Sequence, residues 1–291
     1  MTLAGPGPAG PAAAEAPTRP DWTIDQGWSR YTASEHAVWH TLYERQTRLL
    51  PGRACTAFLE GLQALPIEPD RIPNFEALNE QLRRRTGWQI VAVPGLVPDE
   101  VFFQHLAHRR FPAGNFIRRA DQLDYLEEPD VFHDVFGHAP MLMNPALADY
   151  MQAYGEGGLR ALRLGVLDKL ARVYWYTVEF GLVREAGELR IYGAGIVSSA
   201  TETRFALEST SPHRIGFDLQ RVLRSRYRID DFQQNYFVLD NLDELLALAR
   251  VDFAPHYDAV RSLPDIPPGA TLAADSVLQR GDGHHHQAQR R

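Results

Sequence analysis

Apolar positions recur at helical spacing through the first third of the chain. From Ser34, an N-cap candidate, Trp39, Leu42, Tyr43 and Gln46 keep the period of a helix that Pro51-Gly52 ends. A second helix is predicted over 53–64, stopping before Pro66. A third follows Pro73-Asn74 through Phe75, Leu78 and Leu82 and ends near Gly87. The character then changes: WQIVAV at 88–93 is short, β-branched and bounded by Pro94-Gly95, which predicts a strand. Pro98-Asp99-Glu100 opens another helix through Val101, Phe102, Phe103 and Leu106, and residues 112–117 form a turn with a short extended piece. Leu147, Tyr150, Met151 and Tyr154 mark an amphipathic helix around 145–154. The glycines within 155–158 are expected to break it before a long helical run over 159–180. ELRIYGAGIVSSATE at 188–202 predicts a pair of short strands, with helical residues following to about 224. A strand segment is expected in 227–240 and a helix over 242–250. The pattern is that of a mainly α protein with a few short β-strands, folded as one domain over 21–262. Residues 1–20 are Ala, Gly or Pro at 14 positions and are expected to be disordered. Residues 263–291 lose periodicity and are expected to form a disordered tail, in which HHHQAQRR could collect metal adventitiously.

Composition narrows the function classes. Lys plus Arg number 30 against 37 Asp plus Glu, a net charge of −7, which disfavours nucleic acid as a partner because that affinity rests on neutralising phosphates. Basic runs such as Arg83-Arg84-Arg85 and 221–228 fit solvated helix faces. The lone cysteine, Cys55, permits no intramolecular disulfide, fits a reducing cytoplasm, and excludes a cysteine cluster as a metal site. No run of 18 apolar residues marks a membrane span, and no secretory signal is visible at the N-terminus.

The candidate chemistry sits in PDVFHDVFGHAPMLM, residues 129–143. His133 and His138 lie five apart in an apolar stretch, and neutral imidazole is the commonest metal ligand among side chains. Hydrogen-bonded core histidines are the bland alternative. The zinc-peptidase pattern H-E-x-x-H is excluded, since it needs spacing i, i+4. On a regular α-helix five residues turn a side chain by roughly 500°, about 140° off the first. The two rings can share an ion only if the helix is distorted or ends near Gly137. Further on, ARVYWYTVEFGLV at 171–183 sets one acid, Glu179, among aromatic and β-branched residues. A carboxylate there must be ion-paired or bind a metal. Two histidines and one carboxylate make a facial triad that suits non-haem Fe(II) and O₂, while three such ligands also suit zinc.

The segments EPDVFHDVFGH (128–138), VYWYTVEFGL (173–182) and YGAGIVSS (192–199) resemble the pterin-dependent aromatic amino acid hydroxylases, and most closely the bacterial phenylalanine-hydroxylating branch. The resemblance spans roughly 21–255. It implies a single, mostly helical catalytic domain with iron held by His133, His138 and Glu179. Phe102 would stack on the pterin, the backbone of Gly95, Leu96 and Val97 would meet the same ring, and Asp134 would be the acid near it. Tyr174 would lie near the iron in a positioning role. Arg118 would clamp the substrate carboxylate, oriented by Asp130. Pro129 and Trp175 would wall the aromatic ring, and Ser198 would bond the amino acid end.

The implied reaction is hydroxylation of L-phenylalanine to L-tyrosine with Fe(II), a tetrahydropterin and O₂, the first step of phenylalanine breakdown. A separate pterin-recycling enzyme would serve it. Tyrosine-specific members carry an acid near the position of Ile229, whereas an apolar residue suits an unsubstituted ring. Animal members have an N-terminal regulatory domain and a C-terminal heptad helix for tetramer formation. Neither pattern is visible here, so a monomer without activation by phenylalanine is expected. Hydroxylation of tryptophan or tyrosine, a zinc-dependent hydrolase on the same triad, and a non-catalytic metal or aromatic-ligand binder are the alternatives.

Overall fold

The computed structural model describes residues 19–124 and 128–288. Nearly all of the expected N-terminal disordered segment, residues 1–18, lies outside the described residues, as do 125–127 and 289–291. The described residues pack as two compact units, one lying within 19–48 and 56–159, the other within 49–55 and 160–288.

In the first unit α1 (Ala33–Leu49) begins one residue ahead of Ser34. Thr32, not Ser34, caps it. Glu35 N donates to Thr32 Oγ1 at 3.2 Å and Thr32 N donates to Glu35 Oε2 at 2.7 Å, a capping box that satisfies two orphan amides. Next come α2 (Thr56–Ala64) and α3 (Phe75–Thr86). The side chain of Asn74 caps α3, and Gly87 ends it at φ +76, a left-handed conformation that favours glycine. β1 (Gln89–Val93), α4 (Asp99–Ala107) and β2 (Arg110–Gly114) form a crossover, the strands pairing in parallel from Gln89 opposite Arg110 to Val93 opposite Gly114. An aromatic cluster anchors the core. Phe132 stacks on Phe136 with centroids 4.8 Å apart, and Trp39 meets Phe132 edge-on at 5.2 Å. α5 (Ala139–Leu142) and α6 (Pro145–Leu164) follow.

The expected break at 155–158 does not occur, since α6 runs through it and ends at Gly165, φ +66. The glycines serve packing instead. A Cβ on Gly158 would lie 2.0 Å from Phe103 Cδ1, and one on Gly155 would lie 2.4 Å from Ala107 N. Close approach of α4 therefore offsets the helix propensity that glycine lacks.

The second unit contains α7 (Leu167–Tyr174), β3 (Leu182–Glu185), β4 (Glu188–Ile191), α8 (Ala194–Val197), α9 (Ala200–Glu208), β5 (His213–Gly216), α10 (Leu219–Arg224), β6 (Asn235–Leu239), α11 (Asp243–Ala249), α12 (Ala254–Val260), β7 (Val277–Gln279) and α13 (His284–Ala288). Its five strands lie in the order β4-β3-β6-β5-β7. The second half of 188–202 is helical, not the expected strand. Only 188–191 pairs with β3, and Ser199 then caps α9 by accepting from Glu202 N. Of 227–240, only 235–239 is a strand. The β3–β4 hairpin turns through Ala186 at φ +52 and Gly187 at φ +83. Ala186→Gly relieves left-handed strain and is expected to raise stability by about 1 kcal/mol, read as a higher urea midpoint at unchanged slope.

The predicted disordered tail is a further correction, because residues 263–288 are built into this unit. β7 pairs antiparallel with β5. Arg221, 4% exposed at its side chain, bonds Asp275 Oδ1 at 2.9 Å and the Ala270 carbonyl at 2.7 Å. Arg214 is fully buried and reaches the carbonyls of Ala206 and Ser209 and the side chain of Gln279. Buried arginines hold the tail, which explains why no apolar period marks it.

Glu202 is buried in the same unit and accepts from the Tyr236 hydroxyl. Burial pushes its carboxyl up to about 7, against opposing hydrogen bonds from Tyr236 and the Gln233 backbone. The folded state therefore keeps a proton that the unfolded chain releases near 4.5. The associated stability is full below about pH 4.5 and is lost as pH rises to about 7, an effect of about 3 kcal/mol. Glu202→Gln is expected to flatten this decline in melting temperature between pH 5 and 7; an unchanged slope would refute it.

Candidate active site

The distortion required by the histidine spacing is present. Phe132–His138 is a π-helix, in which hydrogen bonds run from i to i+5. One such turn carries His133 back to nearly the face of His138, and their Nε2 atoms lie 3.3 Å apart. Two cis ligands of a divalent ion at about 2.1 Å stand about 3.0 Å apart, so the pair fits one metal. Both rings are buried, and the His138 ring also lies against Phe111, with centroids 4.6 Å apart. Asp134 completes a set whose ligand atoms lie within 4.8 Å of one another. One of its oxygens, Oδ2, accepts from Gly114 N at 2.8 Å, at the end of β2.

Asp130 organises the start of this turn. It is fully buried and accepts Arg118 Nε and Nη2 at 2.8 Å each, the Arg118 amide at 2.9 Å and the His133 amide at 3.0 Å. Burial alone would raise the Asp130 carboxyl, but the bonds and charge of Arg118 hold it below the usual carboxylate range. One edge of the guanidinium is thereby fixed. Arg118 Nη1 makes a 3.4 Å contact to the Leu123 carbonyl.

The loop after β1 carries Gly95, Leu96 and Val97. Glu128 Oε1 accepts from Leu96 N at 3.1 Å, and a Cβ on Gly95 would lie 2.7 Å from the same oxygen. Leu96 is exposed and Val97 buried. Phe102 stands on α4 with its ring edge-on to Phe103. Pro129 is half-buried, just ahead of Asp130.

The second unit carries the other named residues. Tyr174 ends α7, and Trp175–Glu179 forms a second π-helix whose last residue is the buried Glu179. The glycines of YGAG permit close approach here: a Cβ on Gly193 would lie 2.4 Å from the Glu179 carbonyl oxygen, and one on Gly195 would lie 3.1 Å from it. Ser198 is buried, with its hydroxyl on the Ala194 carbonyl at 2.7 Å. Trp175 stacks on Tyr227 at 4.2 Å and donates from Nε1 to Gln233 Oε1 at 2.9 Å. Ile229 is half exposed, 51%.

Sequence reasoning overlooked Glu128, Tyr227 and Gln233. Glu128 was hidden in an acidic stretch that resembles a solvated surface. A buried tryptophan N–H needs an acceptor, and that need was the one available signal for a residue like Gln233.

A family model described as biopterin-dependent aromatic amino acid hydroxylase matches residues 27–256. The chain is 62% identical over 263 residues to the phenylalanine-4-hydroxylase of Ralstonia nicotianae, covering 90% of this chain and 84% of the relative. It is 63% identical over 263 residues to that of Caulobacter vibrioides, covering 90% of each. The iron- and phenylalanine-bound crystal structure of phenylalanine hydroxylase from Chromobacterium violaceum matches with a TM-score of 0.85 at 53% identity, covering 89% of this chain and 94% of that one. With its imidazole pair set on a single π turn inside a region that the family model spans almost end to end, the chain belongs to the biopterin-dependent aromatic amino acid hydroxylases.

Proposed function

We propose that this member converts L-phenylalanine to L-tyrosine, with Fe(II) held by His133, His138 and Glu179. The observation that carries the reading is the pair of Nε2 atoms 3.3 Å apart on one buried turn, in a chain of this family. When bound, a tetrahydropterin would supply two electrons and iron would activate O₂, so that one oxygen atom enters the aromatic ring and the other ends on the pterin.

The protein's own part is positioning. Asp130 occupies the Nε–Nη2 edge of Arg118, so the guanidinium is turned and held before substrate arrives, and its remaining N–H groups take the substrate carboxylate. Glu128 fixes the Leu96 amide, which sets the backbone of Gly95, Leu96 and Val97 against the pterin. Phe102 stacks on that ring, and Asp134, held by Gly114 N, accepts from it. Trp175, steadied by Gln233 and Tyr227, walls the substrate ring with Pro129. Ser198 orients the amino acid end, and Tyr174 positions groups near the metal without moving a proton. The enzyme works as a monomer in the cytoplasm, at the head of phenylalanine breakdown, with a separate enzyme recycling the pterin.

The test is anaerobic loading with Fe(II), then phenylalanine, a tetrahydropterin and air, with tyrosine quantified. Tyrosine is expected only when all components are present, and faster than product from tryptophan or tyrosine. Iron-loaded protein that makes no tyrosine would overturn the reading. Glu179→Ala is expected to lose iron, whereas Asp134→Ala keeps iron and raises KM for the pterin; the reverse pattern would make Asp134 the third ligand.

A further inference from the structure

The C-terminal histidines are not adventitious bystanders in a loose tail. Asp231 accepts from two of the three, with Oδ1 3.1 Å from His285 Nε2 and Oδ2 3.0 Å from His286 Nδ1. The ligand atoms of all three residues lie within 4.8 Å of one another. We propose that Asp231, His285 and His286 form a second divalent transition-metal site, of the zinc class, that fastens the C-terminal segment to the loop before β6.

Four observations carry this. First, the donor set is two imidazoles and a carboxylate, which suits a zinc-like ion with a fourth position left for water. His285 Nε2 and His286 Nδ1 stand 3.1 and 3.0 Å from separate oxygens of Asp231, and one ligand atom from each residue lies within 4.8 Å of the others, a spread that side-chain rotation must narrow to the about 3.3–3.6 Å between tetrahedral ligand atoms at about 2.0–2.2 Å from an ion. Second, the cluster does not satisfy itself as a hydrogen-bond network. His286 is 7% exposed, and among the described residues its Nε2 has no hydrogen-bond partner. A buried polar atom left this way is costly, so the network gains little stability on its own.

Third, the site is walled. Phe205 and Phe232 stack at 4.4 Å, and the His285 ring lies 5.2 Å from each. An apolar wall lowers the local dielectric and favours an ion against its separate ligands. Fourth, the segment is delivered by specific bonds. Asp282 N donates to the Thr210 carbonyl at 3.0 Å, Gly283 N to the Ser211 carbonyl at 3.0 Å, and His285 N to Ser211 Oγ at 3.1 Å. None of these residues belongs to the set proposed for iron, pterin or phenylalanine.

The test uses the full chain and Zn²⁺ alone, measured by equilibrium dialysis at micromolar free zinc. The unaltered protein is expected to hold about one more Zn²⁺ per chain than either Asp231→Asn or the double variant His285→Ala/His286→Ala. Asp231→Asn preserves shape and so guards against loss by misfolding, which far-ultraviolet circular dichroism checks. Zinc is also expected to slow amide exchange across 277–288 in the unaltered protein but in neither variant. Equal zinc in all three proteins, or binding that requires millimolar zinc, would overturn the site. An extra ion without added protection would overturn its fastening role.

Discussion

His138→Ala is expected to leave protein that retains little iron after desalting and turns over at least about 10³-fold more slowly, roughly 4 kcal/mol of lost transition-state stabilisation. The reason lies in the geometry of the turn. With Nε2 atoms 3.3 Å apart, each imidazole fixes where the other's ion sits, and removing one leaves His133 to hold metal without its neighbour. The change is from a large ring to a small side chain in a buried site, so a stability loss accompanies it. Iron per folded chain separates the two effects. Near-stoichiometric iron with undiminished tyrosine formation would sink the assignment of His138.

Arg221→Met is expected to cost about 3–5 kcal/mol of folding stability, seen as a large fall in the urea midpoint. Arg221 and Asp275 are 4% and 3% exposed at their side chains, so the variant leaves a carboxylate buried without its cation. Asp275 also accepts from Leu272 N at 2.8 Å, which does not replace the lost charge. Arg221→Met combined with Asp275→Leu is expected to recover part of the loss, because replacing both members removes the uncompensated charge. A single variant as stable as the unaltered chain would mean that 263–288 adds nothing to the fold.

Helices were legible where an apolar face and a terminator coincide. α3 is the clearest case: Asn74 and Gly87 bracket Phe75, Leu78 and Leu82, and the element runs from Phe75 to Thr86. What misled was glycine and polarity. Gly155 and Gly158 read as breakers in the sequence because their role, contact with α4, depends on a partner distant in sequence. The tail reads as disordered in the sequence because β7 and its surroundings are held by Arg214 and Arg221, whose value depends on carbonyls and acids elsewhere. For the site, the need for a distorted helix between His133 and His138 followed from spacing alone, and the distortion is there. The supporting residues Glu128, Tyr227 and Gln233 stayed hidden because they act through neighbours that no local pattern names.

The first π-helix has a consequence for how such sites tolerate length changes. A π turn is an α-helical turn that has absorbed one extra residue. Counted in turns rather than residues, His133 and His138 are one step apart, as an i, i+4 pair would be on an ordinary helix. Deleting Val135 would let the segment relax into the more favourable α form and keep the histidines one step apart. It would also set Phe136 three positions after Phe132 instead of four, about 60° short of a full turn on an α-helix. That change would disturb the Phe132–Phe136 stack. The extra residue thus acts as a phase adjuster: it lets one helix set two imidazoles side by side while Phe132 and Phe136 stay stacked in the core.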